Sequence, residues 1–196
     1  AKENAALLPL LIATLELIVL RRLPIKAPRK LWLVWKFVFF VMPAVLLVIY
    51  MFINWPKIMG TYAMRPFSLE ERLGAQVLLL VDYLRLIFIP DAKAMGPFQD
   101  DKVGISIWST SVMLVVAAST LLIAGLLFFW KNTWPVIFAI AWFLVGHILE
   151  SSVWPLELSF EHRNYIPSIG PIAVLIGYFC LTPSLRVLAC AYVLIV

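Results

Sequence analysis

Charged side chains are scarce in this sequence. Asp, Glu, Lys and Arg make up 14% of its 196 residues, against about 25% in soluble domains. Hydrophobic residues make up 63%, which is more than a globule of this size can bury. Disorder is excluded as well, because a disordered chain has few apolar side chains. We therefore expect lipid to be the main solvent of this protein.

Acidic and basic residues are absent from four long stretches, residues 37–56, 103–130, 132–149 and 164–185. A helix needs about 20 largely apolar residues to cross the bilayer core, and it satisfies its own backbone hydrogen bonds there. The sequence therefore predicts a single all-α domain, a polytopic transmembrane helix bundle. Its approximate spans are residues 5–20, 31–53, 103–130, 134–149, 170–182 and 187–196.

Acidic residues are also absent between Glu16 and Glu70, and residues 21–30 carry five of the sixteen basic residues. Because short basic loops stay on the cytoplasmic side, we expect loop 21–30 in the cytoplasm and loop 150–170 outside. Nucleic acid is not an expected partner, since this basic loop is short, contains two prolines and lies between two spans.

Residues 68–89 are predicted to form a helix that carries charges. Ser68 is the expected N-cap, and Glu70 and Glu71 favour the positive end of the helix dipole. Charges beyond the first turn are costly at the bilayer centre only when they are unpaired. We expect a helix that lies along the outer interface or re-enters it, with a full span as the alternative.

The densest polar cluster begins at the end of the fourth predicted span. It contains both histidines of the chain, and its members are His147, Glu150, Ser151, Ser152, Glu157, Glu161, His162, Arg163, Asn164 and Tyr165. Such polar groups between two spans must face water, each other or a bound headgroup. A glycine-rich phosphate loop, a nucleophile elbow and a zinc-protease motif are all absent from the sequence.

Several interpretations of this cluster remain open. In an anionic-headgroup site, the planar guanidinium of Arg163 would donate paired N–H groups to a phosphate. Asn164 and Tyr165 would supply neutral hydrogen-bond donors. In a metal site, His147 and Glu150 would share one helical face at i, i+3 and hold a divalent cation. An intramembrane protease and a solvated connector whose charges satisfy one another are the other two possibilities.

Three blocks of the sequence resemble a known family. They are residues 2–10, residues 67–73 with 83–90, and residues 141–144 with 161–168. In this order they are similar to blocks of the transmembrane and tetratricopeptide-repeat O-mannosyltransferases, which belong to the polytopic glycosyltransferase C superfamily. The family pattern in the third block is close to Glu-Arg-x-Leu-Tyr-Leu-Pro-Ser.

Two positions of the third block depart from that pattern. His162 stands in place of the family's arginine, and Asn164 stands in place of its first leucine. The resemblance is therefore to a distant, bacterial-type relative, and it implies an integral protein of a bacterial inner membrane.

The resemblance also implies a function. It points to a sugar donor linked to polyprenyl or dolichyl phosphate, to transfer on the non-cytoplasmic face, and to a protein as candidate acceptor. The family's catalytic acid lies in a first external loop that has no counterpart here. The chain begins at Ala1 and ends in an apolar run, so we expect a segment of a longer membrane protein. The missing loop implies, through the resemblance, that this segment is the later half. The expected donor-binding residues are Arg163, Tyr165, His162, Glu161, Asn164, Lys2 and Arg65.

A second hypothesis comes from a different class of protein. The chain would be a non-enzymatic membrane subunit or a transporter segment, and its polar outer loop would bind a lipid headgroup or a partner protein. An enzyme needs an external Asp or Glu near Arg163, whereas a binding subunit does not. No definite cofactor is predicted, and a divalent cation is the one candidate.

Overall fold

The computed structural model describes residues 7–23, 28–89, 104–156, 158 and 161–181, without the side chains of Arg29, Glu161 and His162. Regular structure in this part is entirely helical, which confirms the all-α class. The helices are α1 (Leu8–Ile18), α2 (Arg29–Lys36), α3 (Met42–Tyr62), α4 (Leu69–Phe88), α5 (Thr110–Phe128), α6 (Trp130–His147) and α7 (Tyr165–Leu181). Short 3₁₀ turns occur at Leu20–Arg22 and Glu161–Asn164. The predicted span 187–196 lies outside the described residues.

A single continuous helix, Lys30–Tyr62, contains α2, a π-helical turn and α3. The helix continues nine residues beyond residue 53, where the predicted span ends. Asn54 donates to the Tyr50 carbonyl at 2.9 Å, and Thr61 donates to the Lys57 carbonyl at 3.0 Å. These polar side chains bond to the helix's own backbone and do not end it. The π turn Phe37–Val41 ends two residues before Pro43. This wider turn leaves space for the proline ring, which would clash with the preceding turn of a regular α-helix.

Two helices of the described part are long and apolar enough to cross a membrane, Lys30–Tyr62 and Thr110–Phe128. Their apolar side chains point away from the rest of the described chain; for example, Phe52 is 83% exposed and Leu121 is 75% exposed. The apolar helix α7 is shorter, with 17 residues.

Helices α6 and α7 form a closely packed antiparallel hairpin. A Cβ atom on Gly146 would lie 2.8 Å from Pro167 Cγ, and one on Gly170 would lie 2.6 Å from Trp142 Cβ. The Trp142 indole donates to the Ile166 carbonyl at 2.9 Å and ties the two helices together. Helices α1 and α5 both pack against α6, so α6 is the central helix of this arrangement.

Three helix ends differ from the predicted boundaries. α5 begins at Thr110 and not near 103, because Ser109 is its N-cap and accepts from Val112 N at 3.4 Å. α6 begins at Trp130, directly after the single residue Phe129, so Pro135 lies in its second turn and not in its first. α7 begins at Tyr165 and not near 170, because the Glu161–Asn164 turn leads straight into it.

Opposite ends of α6 contact different parts of the chain. The Arg22 guanidinium lies over the Trp134 ring near the start of α6. The Tyr62 hydroxyl, at the end of α3, donates at 2.9 Å to the Val153 carbonyl just beyond α6. The basic turn and the polar connection between α6 and α7 therefore lie toward opposite ends of α6, an 18-residue helix about 27 Å long.

Candidate functional site

The site is built at the far end of α6, and we call it the polar end. It consists of α4, the connection from Ile148 to Asn164 as far as it is described, and the first turn of α7. α4 is joined to the connection by hydrogen bonds. Its contacts with the connection are spread along its length, at Arg72, Gln76 and Tyr83.

A capping box holds the first turn of α4. Ser68 Oγ accepts from Glu71 N at 3.2 Å, and a Glu71 carboxylate oxygen accepts from Ser68 N at 2.8 Å. This confirms the expected Ser68 N-cap. The same hydrogen bonds lower the pKa of Glu71 below its usual range, so this carboxylate is ionised at neutral pH.

Arg72 is completely buried, with 0% of its surface exposed. Its guanidinium donates to the carbonyls of Glu150 at 2.6 Å, of Ser152 at 3.3 Å, and of Leu156. Burial is the main cause that lowers its pKa to about 10, which still leaves it charged at neutral pH. The buried Arg72 guanidinium thus attaches the α6–α7 connection to α4 through these hydrogen bonds.

Gln76 lies one turn further along the same face of α4 and is also buried. Its amide donates to the Leu158 carbonyl at 2.7 Å and accepts from the Ser151 hydroxyl at 3.0 Å. These contacts extend the attachment of the connection by another turn of helix. Together, Arg72 and Gln76 supply polar partners for backbone carbonyls that would otherwise be buried without donors.

Arg163 and Glu150 form a buried ion pair. Arg163 Nε lies 3.3 Å from Glu150 Oε2, and the two side chains are 8% and 7% exposed. The pair joins the end of α6 to the turn before α7. Arg163, the leading phosphate-binding candidate from the sequence, is thus directed toward an internal carboxylate in this structure.

His147 closes the last turn of α6 and is 2% exposed. Its ring stacks on Tyr83 of α4 at 5.3 Å between ring centres, and it also contacts Phe143 at 4.5 Å. Nδ1 bonds to the Phe143 carbonyl at 2.9 Å, whereas Nε2 has no hydrogen-bond partner among the residues that the structure describes. The His147 ring therefore packs against the aromatic rings of Tyr83 and Phe143.

The remaining predicted site residues are distributed differently. Asn164 donates to the Tyr83 carbonyl at 3.0 Å, and Tyr165 is 72% exposed at the start of α7. Glu161 and His162 belong to the 3₁₀ turn, but their side chains lie outside the described set, and so does all of Lys2.

Arg65 lies at the edge of an open cleft between α3 and α4. The cleft has a volume of about 470 Å³. Arg65 is half-buried, and its guanidinium makes no hydrogen bond or ion pair with any residue that the structure describes. The residues that line the cleft are Met59, Tyr62, Arg65, Pro66, Phe67, Ser68, Leu69 and Glu71.

The divalent-cation hypothesis receives no structural support where the chain is described. Over the described residues, no group of three or more His, Cys, Asp or Glu side chains is arranged to hold a metal ion. Glu150, the expected second ligand, faces Arg163.

Arg72 and Gln76 were not among the predicted site residues, although the sequence contains a signal for them. Arg72, Gln76, Leu79 and Tyr83 are spaced i, i+4, i+7 and i+11, and all four are buried. This spacing places them on one helical face. An arginine and a glutamine on the buried stripe of a helix indicate polar partners from another segment.

No protein-family model, curated protein or solved structure matches the chain.

The buried ion pair gives a testable prediction. In Glu150→Gln, Arg163 loses its carboxylate counter-charge, and we expect the free energy of unfolding to fall by about 2 kcal/mol. Thermal unfolding of the full chain in detergent measures this loss. Glu70→Gln is a suitable control, because Glu70 is exposed and bonds to the exposed Ser106 hydroxyl. Equal stability of the two variants would contradict a buried pair.

Proposed function

We propose that this chain is the membrane-embedded part of a glycosyltransferase that uses a polyprenyl-phosphate-linked sugar donor on the non-cytoplasmic face, with a protein as candidate acceptor. One observation carries the proposal: two blocks that resemble the O-mannosyltransferases are distant in sequence but adjacent in space. Asn164 of the third block donates to the Tyr83 carbonyl of the second at 3.0 Å.

The proposed arrangement is a polytopic bundle with the polar end outside. The helix Lys30–Tyr62 leads from the basic loop to the polar end, and α5 leads back. α6 returns to the polar end, and α7 leaves it again. In this arrangement α4 lies along the outer interface, where its charged groups can be paired or hydrated.

Arg65 is the cation best placed to bind the donor phosphate. The Arg72 guanidinium already donates to three carbonyls, and Arg163 faces Glu150. Arg65 has no such internal partner in the described part of the chain, and it lines an open cleft. A guanidinium binds phosphate through paired N–H groups, and it would stabilise the negative charge that develops on a phosphate leaving group.

The walls of the cleft suit a phosphate attached to an isoprenoid chain. Met59, Phe67 and Leu69 provide apolar surface close to Arg65. The first isoprene units would contact these side chains while the phosphate meets the guanidinium. The carboxylate that activates the acceptor hydroxyl would come from sequence outside this chain.

The test is binding of a polyprenyl phosphate to the full chain in detergent. Arg65→Ala should weaken binding about tenfold or more, because hydrogen bonds to a charged group contribute about 1.5–3 kcal/mol. Arg85→Ala is the matched control, since Arg85 is an exposed arginine in the last turn of α4. Wild-type affinity in Arg65→Ala, or an equal loss in Arg85→Ala, would contradict the assignment.

A second candidate function is a non-enzymatic membrane subunit that binds a lipid headgroup or a partner protein. The observation that favours it is the internal use of charges at the polar end, where Arg163 pairs with Glu150. Sugar transfer by the full-length protein separates the two candidates. A subunit would bind the lipid phosphate without releasing it from the sugar, whereas an enzyme would do both.

A further inference from the structure

A second polar cluster lies at the other end of α6, and we call it the basic end. The Arg22 guanidinium carbon is 4.8 Å from the centre of the Trp134 ring and 6.0 Å from that of Trp130. Arg21 and Lys131, which adjoin Arg22 and Trp130 in the sequence, are both exposed. The basic end therefore brings together three cations and two indoles from α6 and the turn after α1.

The segments that form the basic end contain few acidic residues, and the nearest one before Arg21, Glu16 of α1, is buried. The sequence has no Asp or Glu from residue 17 to residue 69, nor from residue 102 to residue 149. Across the part of the chain that the structure describes, Arg21, Arg22 and Lys131 form no ion pair. Their positive charges are open to an external anion.

We propose that the basic end binds the headgroup of an anionic phospholipid in the leaflet opposite the polar end. The Arg22 guanidinium, stacked on indole faces, presents its N–H edge to a phosphodiester. Arg21 and Lys131, both exposed, add positive charge next to Arg22 and Trp130 in the sequence. Tryptophans settle at the depth of lipid headgroups, so Trp130 and Trp134 hold Arg22 at the level of the phosphates.

Apolar side chains beside the cations favour a lipid over a free phosphate. Leu17 and Leu23 flank the Arg21–Arg22 pair in sequence and are 44% and 48% exposed. Exposed leucines next to a phosphate-binding arginine provide a surface for acyl chains, which a small soluble anion does not use. Basic pockets between helices on the cytoplasmic side are typical sites for anionic headgroups.

This inference rests on the membrane placement in the proposed function but not on sugar transfer. Arg22 lies over Trp134 near the start of α6. Arg65 lines the cleft between α3 and α4, three residues after Tyr62, which contacts Val153 beyond the other end of α6. Loss of polyprenyl-phosphate binding in Arg65→Ala therefore reports on the proposed function alone. Loss of phospholipid binding in Arg22→Gln reports on the basic end alone.

Native mass spectrometry of the full chain in detergent measures the lipid affinity. The probes are phosphatidylglycerol and phosphatidylcholine with the same acyl chains. We expect the wild type to prefer phosphatidylglycerol. Arg22→Gln should lower the affinity of the protein for phosphatidylglycerol about fivefold, which is the contribution of one cation near an anionic surface. Phosphatidylcholine binding should not change. Arg85→Gln, at an exposed arginine far from the basic end in sequence, should behave as wild type.

Lys131→Gln provides a second variant, because Lys131 is exposed and its replacement disturbs no packing. It should also weaken phosphatidylglycerol binding, and it decides the question if Arg22→Gln does not fold. Equal binding of the two lipids to the wild type, or unchanged phosphatidylglycerol affinity in the folded variants, would overturn the proposal. Glycerol phosphate that binds as tightly as the lipid would also overturn it in favour of a soluble anion.

Discussion

The full chain carrying Arg72→Met unfolds on the order of 10 °C below the unaltered protein, since its free energy of unfolding falls by at least about 3 kcal/mol. The physical reason is the asymmetry of buried hydrogen bonds. Methionine fills a similar volume but leaves the carbonyls of Glu150, Ser152 and Leu156 without the donor they have now. An unsatisfied buried acceptor costs about 1–3 kcal/mol, and Arg72 serves three.

Two further variants of α4 sharpen this measurement. Arg72→Lys retains a cation but lacks the planar fork, so it should recover only part of the lost stability. Arg85→Met removes an exposed arginine from the same helix and should leave the melting temperature close to wild type. A melting temperature for Arg72→Met that equals the Arg85→Met value would show that the α6–α7 connection does not depend on this guanidinium.

The second large effect is expected at Gly74, where the addition of one methyl group should cost about 3 kcal/mol or more. A Cβ atom at this position would overlap the Ile105 carbonyl oxygen and would lie 2.8 Å from Ile107 N. Both neighbours are backbone atoms, which cannot move aside as a side-chain tip can. Gly74→Ala should therefore separate α4 from the segment before α5.

Gly125→Ala is the matched control for this experiment. Gly125 lies in α5, and a Cβ atom there would meet nothing within 4 Å. Because alanine favours a helix by about 1 kcal/mol over glycine, this variant should be as stable as wild type or more so. Thermal unfolding in detergent compares the two. If Gly74→Ala were tolerated as well as Gly125→Ala, the close approach of α4 to residues 105–107 would be wrong.

Both predictions concern the contacts that hold α4 in place. α4 carries charges in an apolar protein, and it is held in place by backbone groups from both sides. On one side Arg72 donates to the α6–α7 connection, and on the other Gly74 allows residues 105–107 to approach. The cleft beside Arg65 lies at the start of this helix, so loss of either contact should also weaken polyprenyl-phosphate binding.

The sequence by itself determined the helical class and the start of α4. A long uncharged stretch satisfies its own backbone hydrogen bonds when it forms a helix, and Ser68 with Glu71 forms a local capping box that needs no tertiary partner. It was less successful with helix ends. The second predicted span stops at residue 53, whereas Asn54 bonds within the helix and the helix continues to Tyr62.

Only the tertiary structure decided which cations remain open at the polar end. Arg65, Arg72 and Arg163 are equally basic in the sequence, but their availability depends on segments far along the chain. Arg72 meets the carbonyls that follow α6, Arg163 meets Glu150, and Arg65 lies beside an open cleft. Side-chain chemistry is local, whereas burial and pairing depend on how distant segments pack. For that reason residue types predict which groups can bind a phosphate, and among Arg65, Arg72 and Arg163 only packing decides which guanidinium lies beside an open cleft.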